Sequence, residues 1–295
     1  MLPLDKDLQK PKNSIKEFKE ISLRVLNYFP NVISNSEEKG DYLILCSNQA
    51  GNLKYVRPIN RRLFITEPET FSNSVELLNN VLLKIKNKED VTDEEKLTID
   101  KVVYTIQQSI GAGLDLLVNP NSARKHVGNR FEELIRVIFT EIGISNSKIV
   151  LQIPYETDEG TKTYKCENDL VISPYNEVKS TSQSLDEKEV VVSIKTTSKD
   201  RMGKMFIDKL LLERFVKHPQ KVIGIFLNDV QRKEENNIGF TLVSGLFMVY
   251  TEFLTKLEGV YYLDPPPTAL KSPYNVYIST FSELLTGKLN ELLAS

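Results

Sequence analysis

Two short runs in the middle of the chain bring together residue types that can hydrolyse a phosphodiester: Glu167-Asn168-Asp169-Leu170-Val171-Ile172 and Val190-Val191-Val192-Ser193-Ile194-Lys195. Both read as strands. Asp169 offers hard oxygen atoms suited to a divalent cation, and Lys195 can position or activate a water. In a strand, Ser193 and Lys195 share one face while Val192 and Ile194 share the other. The polar pair can then meet a cleft while the apolar pair meets the core. Taken singly, an aspartate at a strand end and a lysine on a strand are equally ordinary surface residues.

Three further features join this pair. Gly128-Asn129-Arg130-Phe131-Glu132-Glu133 lies in a helical pattern and presents Glu132 or Glu133 as a second carboxylate for a Mg²⁺ shell, the other being solvated surface. Eight basic and three acidic residues fall between Lys195 and Lys221, a concentration able to grip phosphates, although a charge run also suits a solvated helix face. Finally, Thr196-Thr197-Ser198-Lys199-Asp200-Arg201 follows the second run directly. Arginine can donate twice to guanine and aspartate can accept from the cytosine amino group, so Lys199-Asp200-Arg201 suits G·C pairs. A salt-bridged turn would use the same residues.

The elements that must position these groups follow from periodicity. A helix over about 122–141 precedes strands at 150–155, 163–172 and 190–195. A helix through Phe206, Leu210, Leu211 and Phe215 follows, then the apolar strand Val222–Leu227. Pro154 marks its strand as an edge or a bulge. This order predicts a mixed sheet flanked by helices. Further on come a strand at Phe240–Val243, a helix around 247–257 and an amphipathic segment at about 280–293. Residues 1–120 read as mainly helical with a small strand element. A first helix stops at Pro30, and a third opens on the capping box Thr92–Glu95 and runs to about Ser109, where Gly111 and Gly113 weaken it. The expected division is 1–120 and 121–295.

Composition narrows the class. The chain has 295 residues, 40% hydrophobic and 26% charged, with a formal net charge of -2, so a nucleic-acid partner needs a local basic surface. No apolar run approaches a membrane span and the start has no signal-peptide core, so the expected location is cytoplasmic, with no membrane partner. Cys46 and Cys166 supply neither a disulfide framework nor a thiolate zinc cage, and read as buried.

Over about residues 122–245 the chain resembles the type II restriction endonucleases of the PD-(D/E)XK nuclease superfamily. Asn168-Asp169 stands where that family has Pro-Asp, Ser193-Ile194-Lys195 where it has (Asp/Glu)-X-Lys, and Glu132 resembles its first-helix glutamate. Lys195 through Arg201 is similar to the Lys-(Thr/Ser)-(Thr/Ser)-X-Arg-(Glu/Asp)-Arg segment of enzymes that cut G·C-rich sites. Ser193 replaces a metal-ligating acid. In a subgroup with this Ser-X-Lys form the acid returns from the following helix, where Asp208 lies at the matching distance and Glu213 is the substitute. The resemblance implies an α/β (α+β) restriction-endonuclease-like core with a helical N-terminal region. It implies Asp169, Glu132 and Asp208 around Mg²⁺, with Lys195 and Ser193 beside them. Thr197, Ser198, Lys199, Asp200 and Arg201 would contact double-stranded DNA. The implied activity is cleavage of both strands at a short, G·C-rich, palindromic or near-palindromic site, leaving 5′-phosphates. A homodimer is expected, with a cognate DNA methyltransferase as functional companion, and residues 1–120 in dimerisation or DNA wrapping, with Arg57, Arg61 and Arg62 as phosphate contacts. The alternatives are another nuclease on the same core, an inactive DNA-binding relative, or a structural domain with these residues on its surface.

Overall fold

The structure of the chain, a computed structural model, describes residues 2–49, 51–198, 201–234, 237–242 and 244–294. Helices α1 (Leu4–Gln9) and α2 (Ile15–Val32) lead into a small antiparallel sheet of β1 (Asn35–Lys39), β2 (Tyr42–Gln49), β3 (Asn52–Tyr55) and β4 (Ile59–Asn60). Ser14 caps α2 by accepting from the Glu17 amide. Pro30 does not stop this helix. It lies in the final turn, and the helix ends only two residues later.

Helices α3 (Pro68–Lys86), α4 (Asp93–Leu117) and α5 (Pro120–Glu141) follow. Thr92 and Glu95 form the expected capping box at the start of α4. The helix continues well past Ser109, because its two glycines serve packing rather than termination. A Cβ at Gly111 would lie 2.5 Å from the Arg57 guanidinium carbon, and one at Gly113 would lie 3.0 Å from Leu8 and Val25. Burial of almost every residue from Val102 to Leu114 outweighs their weak helix propensity.

The chain then builds its main sheet from β5 (Ser145–Thr157), β6 (Gly160–Ser173), β7 (Val190–Thr197), β8 (Lys221–Asn228), β11 (Gly259–Asp264) and β12 (Ile278–Thr280). Between these lie α6 (Arg201–Val216), the hairpin β9 (Val230–Lys233) and β10 (Asn237–Phe240), and α7 (Ser244–Phe253). Among the described residues the sheet order is β12-β11-β8-β7-β6-β5. The pairs β5–β6 and β6–β7 are antiparallel, and the pairs from β7 to β12 are parallel. The sheet is therefore mixed, with the proline-bearing β5 at its edge. Strand β11 was hidden in sequence because Tyr261-Tyr262-Leu263 is short and gains its partners only by parallel crossover. The strand expected at Phe240–Val243 ends at Phe240 instead.

Both faces of the sheet are covered. Val192, Ile194, Ile223 and Ile225 pack with Val103, Phe131, Leu134 and Ile138 of α4 and α5. Val191, Val222, Phe226 and Tyr262 pack with Met205, Phe206 and Phe247 of α6 and α7. The first cluster also contains Leu8, Phe18, Val25 and Leu78, so one core joins the N-terminal helices to the sheet. Cys46 and Cys166 are buried and unpaired. Among the described residues no helix is long and apolar enough to cross a membrane.

Candidate active site

Asp169 sits at an irregularity of the sheet. Ser147 pairs with Val171, but the next pairing is Ile149 with Asn168, so Asp169 and Leu170 together oppose the single residue Lys148. This is a β-bulge, which kinks a strand and re-aims a side chain. Its effect is visible in the burial pattern. Val171 faces the α6 side, and two alternations of an unbroken strand would put Glu167 there too. Instead Cys166 packs on that side while Glu167 is exposed. The side chain of Asn168 crosses the irregularity to donate to the Ile149 carbonyl at 3.3 Å.

Beyond Leu170 the strands β6 and β7 part, since their pairing is confined to Leu170–Ile172 against Val190–Val192. Asp169 stands at this fork. One oxygen accepts from the Ile194 amide at 2.8 Å and from the Lys195 ammonium. Lys195 reaches it because Val192 and Ile194 are anchored in the core on the opposite face. Ser193 shares the Lys195 face and lies beside Gly224 of β8.

Helix α5 delivers Glu132 to the same cleft, which Asn129, Arg136, Lys148 and Asp169 also line. Burial first, and the Asp169 carboxylate second, push the Glu132 carboxyl up to about 7, against the opposing pull of Lys148 and Lys195. Its ion pair with Lys148 is loose, at 3.9 Å. Glu133 has a different environment. It accepts from Arg130 at 2.6 Å and from the Lys12 amide at 2.9 Å, tying α5 to the segment between α1 and α2. Both glutamates line the cleft, but Glu132 is the one that feels the Asp169 charge, while Glu133 is tied to Arg130 and to the Lys12 amide.

The expected third acid is not gathered here. Asp208 pairs with Lys204 one turn earlier on α6 at 2.6 Å, and Glu213 pairs with the buried Lys209 at 3.7 Å. Among the described residues no group of three or more His, Cys, Asp or Glu side chains is arranged to hold a metal ion. Two facing carboxylates nevertheless suit Mg²⁺, which commonly takes one or two protein carboxylates and completes its shell with waters and phosphate oxygens.

The segment after Lys195 is held from behind. Ser198 is fully buried, and its hydroxyl donates to Asp229. Asp229 also accepts from the Thr241 hydroxyl at 2.7 Å. Gln231 donates to the Thr197 hydroxyl at 3.3 Å. Ser198, expected to contact DNA, is buried against Asp229, while Arg201 stands exposed at the first position of α6. Lys199 and Asp200 lie outside the described residues. The basic stretch is not one uniform patch, because Lys209 is buried against Glu258 at 2.6 Å. In the N-terminal region Arg57 is bound by both oxygens of Asp115 at 2.8 Å, while Arg61 and Arg62 pair with Glu38 and Asp41 at 2.9 Å.

Sequence reasoning misses Lys148, Asp229 and Gln231. Nothing local marks them. Lys148 depends on the β5–β6 register, and Asp229, between β8 and β9, acquires its meaning from Ser198 just past the end of β7.

No family model and no curated protein matches the chain. Among solved structures, the Type IIP restriction endonuclease Kpn2I aligns with a TM-score of 0.71 and 17% identity, over 95% of this chain and 91% of that one. A complex of the restriction endonuclease PspGI with substrate DNA aligns at a TM-score of 0.42 and 12% identity, over 77% of this chain and 92% of that chain. The first likeness establishes the architecture: this chain has a restriction-endonuclease-like α/β fold, with a mixed sheet between helices and a helical N-terminal region.

Proposed function

We propose that this protein is a type II restriction endonuclease that uses Mg²⁺ to cut both strands of DNA at a short, G·C-rich, palindromic or near-palindromic site. The observation that carries this reading is Asp169, turned by a bulge onto Lys195 and opposite Glu132, at the head of the segment that leads to Arg201. The fold shared with Kpn2I supports it as analogy, since one fold can host several activities.

Glu132 and Asp169 would hold Mg²⁺, with waters and phosphate oxygens filling the remaining positions. Bound there, the ion supplies Lewis-acid polarisation of the phosphate and a more acidic water. The chain's own residues do the rest. Lys195 leaves Asp169 partly free as the carboxylate is neutralised, and its ammonium orients the attacking water in line with the scissile bond. Water oxygen bonds to phosphorus, the bond to the 3′ oxygen breaks, and that oxygen takes a proton, leaving a 5′-phosphate and a 3′-hydroxyl. Ser193 contributes no carboxylate. Asp208, which is paired with Lys204, would be the third acid of the site. Ser198 is anchored by Asp229 between Thr197 and Arg201, and Thr197, Lys199, Asp200 and Arg201 would read bases in the major groove. Two such centres in a homodimer cut the two strands, and a cognate methyltransferase protects the host's sites.

One observation favours a second reading. Ser193 lacks the acid, and Asp208 is paired away with Lys204, which would suit a relative that binds DNA without cutting it. Plasmid cleavage with Mg²⁺ and with EDTA, followed by sequencing of the ends, separates the two. Discrete Mg²⁺-dependent fragments are expected. Binding without cleavage across several DNA sources would favour the inactive relative, and a smear would indicate a nuclease without sequence preference.

A further inference from the structure

Lys148 stands alone opposite the two bulged residues Asp169 and Leu170, so the irregularity that aims Asp169 also sets where Lys148 leaves the sheet. Its ammonium is 3.3 Å from Glu167 and 3.9 Å from Glu132, and its side chain is 48% exposed. Neither carboxylate holds it firmly. Glu167 is itself 66% exposed, and 3.9 Å is beyond hydrogen-bonding distance. Pairs of this kind contribute little and exchange partners readily. Lys195, in contrast, is committed to Asp169. Lys195 is thus fixed at the fork of the strands and Arg136, on the cleft lining, donates to Asn13 at 3.2 Å, while Lys148 is the loosely held cation of the cleft.

We propose that Lys148 is a phosphate-gripping residue of the nuclease centre. It balances Glu132 while the cleft is without DNA, and transfers to a backbone phosphate beside the scissile one when DNA enters. This rests on the endonuclease reading and adds a residue that none of the catalytic motifs contains. The exchange follows from charge. A divalent cation shared by Glu132 and Asp169 cancels the attraction that keeps Lys148 in place, and the incoming phosphodiester offers a replacement anion. Lysine suits this role, being a point charge on a flexible stem rather than a planar fork.

The test compares wild type, Lys148→Ala and Lys148→Arg as full-length proteins in two assays that need no turnover. Mn²⁺ binding to the DNA-free protein is followed by electron paramagnetic resonance. Binding of a duplex carrying the mapped cleavage site is measured with Ca²⁺ over a salt series. Removing the competing ammonium should tighten Mn²⁺ binding on the order of 2- to 5-fold. DNA affinity should fall, the log–log salt slope should shrink by about one, and arginine should restore that slope. An unchanged slope in the alanine variant overturns the proposal whatever the Mn²⁺ result, as does lower affinity that arginine does not rescue. Failure here is distinguishable from failure of the endonuclease reading: a wild type that cuts DNA beside an alanine variant with the full slope rejects only the role of Lys148, whereas a wild type that neither binds nor cuts removes both.

Discussion

Two carboxylic acids in this molecule, the buried Asp100 and the half-buried Glu132, are pushed up to about 7 by the same dominant cause, loss of solvent, yet their surroundings differ. Asp100, on α4, has both oxygens occupied: the Ser282 amide donates at 3.0 Å and the Ser282 hydroxyl at 2.6 Å. It fastens the C-terminal helical segment to the core. Glu132, on α5, faces another carboxylate and has only a loose lysine 3.9 Å away. A raised proton affinity therefore does not identify a site by itself. What distinguishes Glu132 is that its negative charge is left without a fixed donor, beside a bulge and a strand fork. Such unresolved polarity is tolerated where function requires it.

Substitutions around these two acids should differ widely in effect. The largest effect belongs to the fork. Lys195→Ala and Asp169→Asn should each reduce DNA cleavage by roughly 100-fold or more while leaving the fold intact by circular dichroism. A modest loss would move the chemistry elsewhere. Next comes Asp229. Asp229→Ala leaves the Ser198 and Thr241 hydroxyls without their acceptor, at about 1–3 kcal/mol, to be read as a lowered Tm. An unaltered Tm would show that the fold around Ser198 does not depend on it.

A pH series separates the two acids more finely. Both have folded pKa values above their unfolded ones, so between pH ~4 and ~7 the folded state holds more protons and stability falls as pH rises. Metal-free Glu132→Gln should flatten that fall and be at least as stable as wild type at pH 8. In wild type, protons should compete with Mg²⁺ for Glu132 as pH falls below about 7, so raising the Mg²⁺ concentration should move the loss of cleavage to lower pH. The smallest effect on cleavage is expected from Asp100→Asn, which can keep both contacts with Ser282 and should, like Glu132→Gln, flatten the fall of stability with pH. A steep loss of activity there would mean that the two acids are coupled.

What is legible in the sequence depends on distance along the chain. The capping box at Thr92 and Glu95 is local and readable. So is the neighbourhood of Asp169 and Lys195, because strand alternation and the order of elements bring their strands together. The bulge is not readable, since it exists only in the register between β5 and β6. Glu132 and Glu133 are indistinguishable until the rotation of α5 is set, partly by a contact with Lys12 from the far N-terminus. Ser198 looks like an exposed polar residue until β8 and the β9–β10 hairpin bring Asp229 and Thr241 against it. Gly111 and Gly113 mislead in the opposite direction, as breakers by propensity that serve as contact points by packing.

The most direct test of this account is cleavage of linear duplex DNA with Mg²⁺ by wild type, Glu132→Gln and Asp100→Asn side by side. The account predicts discrete fragments from wild type and Asp100→Asn, and at least ~100-fold less product from a folded Glu132→Gln. Equal cleavage by wild type and Glu132→Gln would contradict it, because the untied carboxylate would then have no part in the reaction.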